Sequence, residues 1–440
     1  MQSRLHAILQ ALRLTNRRVW LGRLVVWCAA AGSTLILVLF AKGVDVAIAW
    51  FDALSLAYPW SPFILTTAGG MVIVYLTRRY FEGAQGSGIP QVIAAQYTKD
   101  YPSRFVSLRI VIGKILLGTA ALGCGFSAGR EGPSVQIGAS LMLACQRFLP
   151  RHFPVRRADL LLAGGAVGIA AAFNTPLAGI VFAIEELGRR FESRTNSVLL
   201  VAIVFAGIIS IALQGNYTYF GRLIVPDASV QLIIPVLLLG VCGGVLGGIF
   251  SRLLLVGSGP WRGRLGDFKR EHPVKFAGIC AFIVVSIGVA THGLTFGSGY
   301  FATQHALHGG SELPFTFALM KMLATVISYI AGIPGGIFAP CLSVGAGLGQ
   351  NFAALHWVEL STTAWMALGM VAFLAGVTQA PITSFIIVME MIDGQAMILS
   401  LIATALLASM LARAFCPPLY HAIAHRMLRQ QQYVQNNKLN

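Results

Sequence analysis

The chain has 440 residues, 56% of them hydrophobic and only 11% charged, with a mean hydropathy of +0.74. A soluble domain carries about twice that charged fraction, so the composition argues against a soluble enzyme or binding module and makes lipid the solvent. The net charge of +16 needs no nucleic acid to explain it, because arginine and lysine gather beside apolar segments.

Residues 1–22 carry Arg4, Arg13, Arg17 and Arg18 with apolar residues between them. That pattern predicts an amphipathic cytoplasmic helix rather than a cleavable signal. A helix that crosses the hydrocarbon core needs ~20 apolar residues. Roughly ten to twelve apolar runs follow, at 24–42, 62–77, 108–128, 134–146, 160–184, 197–214, 231–257, 274–292, 316–356, 363–392 and 395–415. Several are too short to cross, and several are cut by Gly or Pro. Basic residues flank these runs at Arg78–Arg79, Arg189–Arg190 and from Arg252 to Lys275. The connections near 43–61, 215–230 and 293–312 hold few charges. The positive-inside rule therefore places both termini and the 251–275 loop in the cytoplasm. The seven cysteines lie in or beside apolar segments and read as small buried hydrophobes. No Cys/His spacing suits a metal, and no cofactor is expected.

The two halves echo each other. Lys114 and Lys321 are 207 residues apart, as are Pro133 and Pro340, and Gly138-Ala139 and Gly345-Ala346. Asn174-Thr175-Pro176 and Glu185 answer Gln379-Ala380-Pro381 and Glu390 at an offset of 205; Gly86-Ser87-Gly88 answers Gly297-Ser298-Gly299 at 211. The expected organisation is a first membrane repeat at 23–215, a connecting loop at 216–230, a second repeat at 231–420 and a short tail at 421–440. A binding site is expected where the repeats meet, near the midplane. The offsets alone leave open whether the repeat is inverted or parallel.

Four Gly/Pro clusters interrupt the apolar runs: Gly86 to Pro90, Gly129 to Pro133, Gly335 to Pro340, and Pro417 to Tyr420. Irregular backbone at membrane depth survives only where protein buries it or it lines a cavity. Each cluster reads as a helix start inside the membrane. A helix N-terminus offers free N–H groups and a partial positive charge of about 0.5. Several such ends aimed at one point bind a dehydrated anion without a full cation to trap it. Glu131 lies inside one cluster, and an intramembrane carboxylate is a functional candidate by default. An enclosed carboxylate can exchange a proton under working conditions. Ionised, it can fill an anion site; protonated, it should leave. The bland alternative is an ion pair with Arg130. Glu185 and Glu186 read equally well as a helix end at the cytoplasmic surface. Lys114 and Lys321 read as structural counter-charges or snorkelling side chains, with no transport role.

At these motifs the sequence resembles the CLC family of chloride channels and proton-coupled chloride antiporters. The likeness rests on Gly-Ser-Gly-Ile-Pro at 86–90, Gly-Arg-Glu-Gly-Pro at 129–133, Gly-Ile-Phe-Ala-Pro at 336–340 and Pro-Leu-Tyr at 418–420, with Phe173 to Gly179 leading into Ile184-Glu185-Glu186. The resemblance implies an all-α integral membrane homodimer of a bacterial inner membrane, built from two inverted repeats of broken, re-entrant and tilted helices. It makes Ser87 and Tyr420 hydroxyl ligands of a central chloride, joined by the backbone N–H groups of Ile337 and Phe338. The N–H groups of Arg130 and Gly132 would face an outer position that Glu131 can fill. Glu131 matches the gating glutamate, and Glu186 the internal proton-transfer glutamate typical of exchangers. Chloride/proton exchange is the implied activity, with chloride as substrate and no enzyme activity. A passive channel of the same fold is the alternative, and a membrane-embedded enzyme a distant one.

Three features depart from the family pattern. Gln91-Val92-Ile93 follow Pro90 where prokaryotic exchangers often carry acidic residues, which leaves Lys114 without a usual partner. Twenty residues follow Tyr420, so the paired nucleotide-sensing domains of many eukaryotic relatives are not expected. The family topology is expected to put Arg147, Arg151, Arg156 and Arg157 outside, against the positive-inside rule, where they would raise the anion concentration at an entrance.

Overall fold

The computed structural model describes residues 17–98, 104–151, 153–188, 197–215, 217–223 and 230–439. The first half holds α1 (Arg17–Ala57), α2 (Ser61–Tyr80), α3 (Ile89–Gln96), α4 (Leu108–Gly123), α5 (Glu131–Ala144), α6 (Arg157–Phe173), α7 (Pro176–Phe182), a π-helical segment (Ala183–Gly188) and α8 (Ser197–Gln214). The second half holds α9 (Ile233–Gly257), α10 (Arg264–Glu271), α11 (Pro273–Ala290), α12 (Tyr300–Leu307), α13 (Phe317–Ala331), α14 (Phe338–Ala353), α15 (Thr362–Thr378), α16 (Pro381–Ile392), α17 (Ile398–Ala412) and α18 (Leu419–Leu439). No strand forms among the described residues; two single bridge pairs join loops.

Four segments among the described residues are long and apolar enough to cross a membrane alone: Arg17–Ala57, Ile233–Gly257, Pro273–Ala290 and Gln395–Ala412. Some of the other apolar runs are divided. Runs 160–184 and 363–392 each break once, at Asn174–Pro176 and Gln379–Pro381. Asn174 (φ 58°, ψ 35°) and Gln379 (φ 56°, ψ 32°) both turn left-handed. A proline then opens the next helix, where its missing N–H costs nothing. Different residues thus make the same break in both halves.

The halves are inverted. Gly129 and Gly336 exchange two backbone hydrogen bonds of 2.7 Å, each N–H donating to the other's carbonyl, which is the pattern of a two-fold axis between them. The direction of that axis follows from the helix ends. α1 and α2 form a hairpin, so the start of α1 and the end of α2 share a face. Arg78, near the end of α2, lines a cavity with Ser258 and Lys269, just beyond the end of α9. α9, the counterpart of α1, therefore ends on the face where α1 begins.

The same logic corrects the placement of 147–157. A Cβ on Gly22 would strike the Phe153 ring, so this loop lies beside the start of α1. It shares a face with Arg78 and Lys269, so its arginines join the other basic residues on one face, as the positive-inside rule expects. Arg156 pairs with Asp159 at 3.0 Å in the capping box of α6. Arg189 and Arg190 fall outside the described residues, as do residues 1–16. Residues 17–22 form the opening of α1, continuous with the first span. The boundary at 420/421 falls inside α18, because Pro417-Pro418 start a helix that no Gly or Pro then interrupts.

Small residues bring the broken helices together. A Cβ on Gly138 or Gly164 would run into the other's backbone, and the same holds for Gly345 and Gly369. Close backbone approach of this kind is how helices pack where lipid supplies no hydrophobic drive. It seats α5 against α6 and α14 against α15. Both pairs are buried along most of their length, and the starts of α5 and α14 meet at the centre.

Candidate anion site

Ser87 sits between two glycines in the left-handed region, Gly86 (φ 68°) and Gly88 (φ 109°). The turn is tied down from both repeats. Gly86 N–H donates to Ile333 O at 3.0 Å, and Gly335 N–H donates to Gly86 O at 3.1 Å. Lys114 Nζ donates to Gly86 O at 2.6 Å and Ser87 O at 3.3 Å. That contact explains how Lys114 stays buried without an acidic neighbour: it satisfies the turn's carbonyls. Lys321 does the same for the second repeat, donating to Gly297 O at 2.8 Å and Thr295 O at 3.0 Å.

Glu131 opens α5 and is fully buried. Its Oε2 accepts the N–H of Ala339 in the first turn of α14, at 3.4 Å. Its own backbone N–H also faces the carboxylate. The side chain therefore lies between two helix starts, one from each repeat, where anions are favoured. A Cβ on Gly129 would collide with Oε2, so only glycine leaves room for this pose. The alternative of an ion pair with Arg130 is not what forms. The Arg130 guanidinium turns away to Asp45 Oδ1 at 2.6 Å and Ala41 O at 3.0 Å on α1. Its backbone still caps α5.

Tyr420 is buried in the first turn of α18 and stacks on Phe338, with ring centroids 6.0 Å apart and planes at 8°. Phe182 packs edge-on against the Phe338 ring at 5.9 Å. The Tyr420 and Ser87 hydroxyls lie near each other, and neither makes a well-formed hydrogen bond to protein among the described residues. Buried hydroxyls normally find a partner. A Cβ on Gly132 would strike Ser87 Oγ and crowd Gly336 Cα. Ser87, Gly132, the α14 start at Ile337–Phe338 and Tyr420 thus converge on one place. The first amides of α14 have no intrahelical acceptor.

Glu186 is buried in the π-helical segment. Its carboxylate is close enough to Tyr420 for electrostatic interaction, and its backbone carbonyl is bonded to the His421 ring at 2.8 Å. Glu185 does something different. Its carboxylate accepts the N–H groups of Ile382 at 3.1 Å and Thr383 at 2.6 Å, capping α16. Glu390 returns the favour at α7, accepting from Leu177 at 3.4 Å and Ala178 at 2.7 Å. This exchanged pair of caps is invisible to local sequence patterns, because it joins residues about two hundred positions apart; the 205-residue offset is the signal that points to it.

These features decide the family. The chain matches the family described as voltage gated chloride channel over residues 69–413. It belongs to that family, the CLC proteins. Relatives include the H(+)/Cl(-) exchange transporter ClcA of Yersinia pseudotuberculosis serotype IB, 32% identical over 87% of this chain and 80% of the relative. The corresponding exchanger of Cronobacter sakazakii is 33% identical over 84% of this chain and 80% of its own length. Among solved structures, a slow cyanobacterial Cl-/H+ antiporter superposes with a TM-score of 0.79 at 25% identity, covering 95% of this chain and 99% of its own. A CLC-type fluoride/proton antiporter shares the fold, with a TM-score of 0.74 at 23% identity over 90% of this chain and 95% of its own.

On the basic face, two cavities of about 670 and 400 Å³ adjoin the Ser87 turn, both lined by Gln85, Gln91 and Arg426. Arg104, Arg429, Arg78 and Lys269 contribute further cationic side chains, against Glu82. Glu82 pairs with Arg104 at 3.1 Å. Burial lowers the proton affinity of the Lys269 ammonium, which donates to Gly257 O at 2.5 Å. Gln91 adds no charge to this lining. Among the described residues no group of three or more His, Cys, Asp and Glu could hold a metal ion.

Proposed function

We propose that this CLC protein exchanges chloride for protons across a bacterial inner membrane, as a homodimer with one pathway in each subunit and both termini in the cytoplasm. Each subunit uses two repeats, 23–215 and 231–420. The observation that carries the reading is the Glu131 carboxylate on the Ala339 N–H. The gate occupies the helix start where an anion belongs.

Chloride enters from the basic vestibule and meets the Ser87 and Tyr420 hydroxyls and the amides of Ile337 and Phe338. The outer position, facing the amides of Arg130 and Gly132, is held by ionised Glu131. A proton neutralises that carboxylate and weakens its hold on the helix starts. It swings away and chloride takes the position. Glu186 carries the proton between Glu131 and the cytoplasm. Two buried acids, Glu131 with its carboxylate at the start of α14 and Glu186 near Tyr420, make a proton route that a passive pore does not need. The names of the exchanger relatives support the same choice, and transport rather than catalysis.

Purified protein in liposomes tests this. An imposed chloride gradient should drive protons uphill. Strong chloride flux with a reversal potential independent of pH would select the channel instead.

A further inference from the structure

The residue before the gate is held by a third element. Arg130 caps α5 one position ahead of Glu131, and its side chain is only 11% exposed. Its Nη1 donates to Ala41 O at 3.0 Å and to Asp45 Oδ1 at 2.6 Å. Residues 41 and 45 are four apart on α1, so both face the guanidinium from one side of that helix. Asp45 is 52% exposed. It stands roughly 40 Å further along α1 than Arg17. That exceeds the ~30 Å of a hydrocarbon core, so Asp45 belongs to the face opposite the basic one. The pair therefore joins a buried cation beside the gate to a carboxylate that solvent reaches from the far face. Removing one partner of such a pair leaves an uncompensated buried charge. The acid next to Arg130 in the chain is Glu131, with which the guanidinium already interacts electrostatically.

We propose that Asp45 is a positioning residue for the gate: it draws the Arg130 guanidinium onto α1 and off the Glu131 carboxylate, so that backbone N–H groups alone hold the ionised gate and a proton can release it. This rests on Glu131 being the gate. A guanidinium turned onto Glu131 would add a charge-assisted bond to the ionised form and oppose its release. The other titratable groups around the pair sit on four elements. Lys42 lies three residues before Asp45 on α1 and is exposed; as a cation it cannot stand in for the acid. Tyr217 and Tyr219, in the segment before α9, and Tyr300 on α12 face the guanidinium. Cys341 on α14 faces Glu131. Phenols and thiols are neutral near pH 7, so none of these supplies the negative charge that Asp45 supplies.

The test measures coupled transport against external pH in reconstituted protein. Asp45→Asn keeps an oxygen for Arg130 but removes the charge; Asp45→Glu keeps the charge. An opposite charge beside a carboxylate moves its titration by about 1–3 units. The Asp45→Asn rate profile should therefore shift toward acid by about one unit or more, a loss of about tenfold on the alkaline side, with the rate recovered at low pH. Asp45→Glu should stay near the native profile. A native profile in Asp45→Asn overturns the proposal. So does an equal shift in Asp45→Asn and Asp45→Glu, since the charge is then not what acts. The second arm adds Asp45→Asn to Glu131→Gln, whose neutral amide cannot hold the guanidinium as a carboxylate does. Chloride flux should match that of Glu131→Gln alone; a further loss means that Asp45 only supports packing, and the proposal fails. Glu131→Gln by itself controls for the underlying reading. If it still couples protons to chloride, the gate reading fails and Asp45 with it. If it uncouples while Asp45→Asn keeps the native profile, only the Asp45 proposal falls.

Discussion

The two repeats share a backbone and differ in what their side chains leave unfinished. At the 207-residue offset, Glu131 answers Phe338 and Arg130 answers Ile337; at 205, Glu186 answers Met391. Both central turns rest on a buried lysine through backbone carbonyls. Yet Ser298 accepts the Tyr300 N–H at 3.3 Å within its own turn, and Ser343 donates to Gly299 O at 2.9 Å. In the first repeat the Ser87 hydroxyl makes no such bond. The second repeat thus supplies a finished helix start and an aromatic wall. The first supplies open hydroxyl and carboxyl groups. On the proposed function, transport chemistry lives in the half of the scaffold whose side chains are left unsatisfied.

The largest effect that tests this asymmetry is expected at Glu131. Glu131→Gln should abolish proton movement while chloride still flows, because a neutral amide cannot be charged and released. Phe338→Leu, at the matching position, should change anion rate and keep the coupling. If both substitutions uncouple equally, the division of labour between repeats is wrong. Next in size is Gly336→Ala. Its Cβ would lie 2.8 Å from the Gly132 nitrogen, and overpacking of this kind costs ~1–3 kcal/mol. The thermal unfolding temperature in detergent should fall, and chloride flux with it. Lys114→Met and Lys321→Met sharpen the contrast further. Each leaves buried carbonyls without a donor, at about 1–3 kcal/mol. Chloride affinity, measured by calorimetry, should weaken in Lys114→Met alone, since only that lysine braces Ser87.

Much of this is legible in one dimension. The constant offsets announce two related halves, and the Gly/Pro clusters announce helix starts in lipid. Motif alone picks out Ser87, Glu131, Ile337, Phe338 and Tyr420, and they do converge. The rest needs the folded chain. No local pattern shows that Arg130 reaches Asp45, 85 residues away, instead of its neighbour Glu131. The 147–157 loop goes to the wrong face when an expected topology is preferred to the charge pattern, and a single ring contact with Gly22 reverses it. The breaks at Asn174 and Gln379 hide inside continuous apolar runs, since hydropathy does not register a left-handed residue followed by proline.

The smallest effect concerns the one device the repeats execute alike. Glu185 caps α16 and Glu390 caps α7, each with two backbone N–H donors. A glutamine keeps one accepting oxygen, turns an amide donor toward the second N–H, and removes the charge that the helix start favours. The loss should be about 1 kcal/mol at either position. The two carboxylates share no hydrogen-bond donor, so the double substitution should cost the sum of the singles. Thermal unfolding of Glu185→Gln, Glu390→Gln and the pair measures all three. Equal and additive losses mean that symmetry survives where only packing is at stake. A marked excess for Glu185→Gln, accompanied by altered proton flux, would mean that the first repeat has recruited even its cap into transport, since Glu185 adjoins Glu186 and Glu390 adjoins no acid.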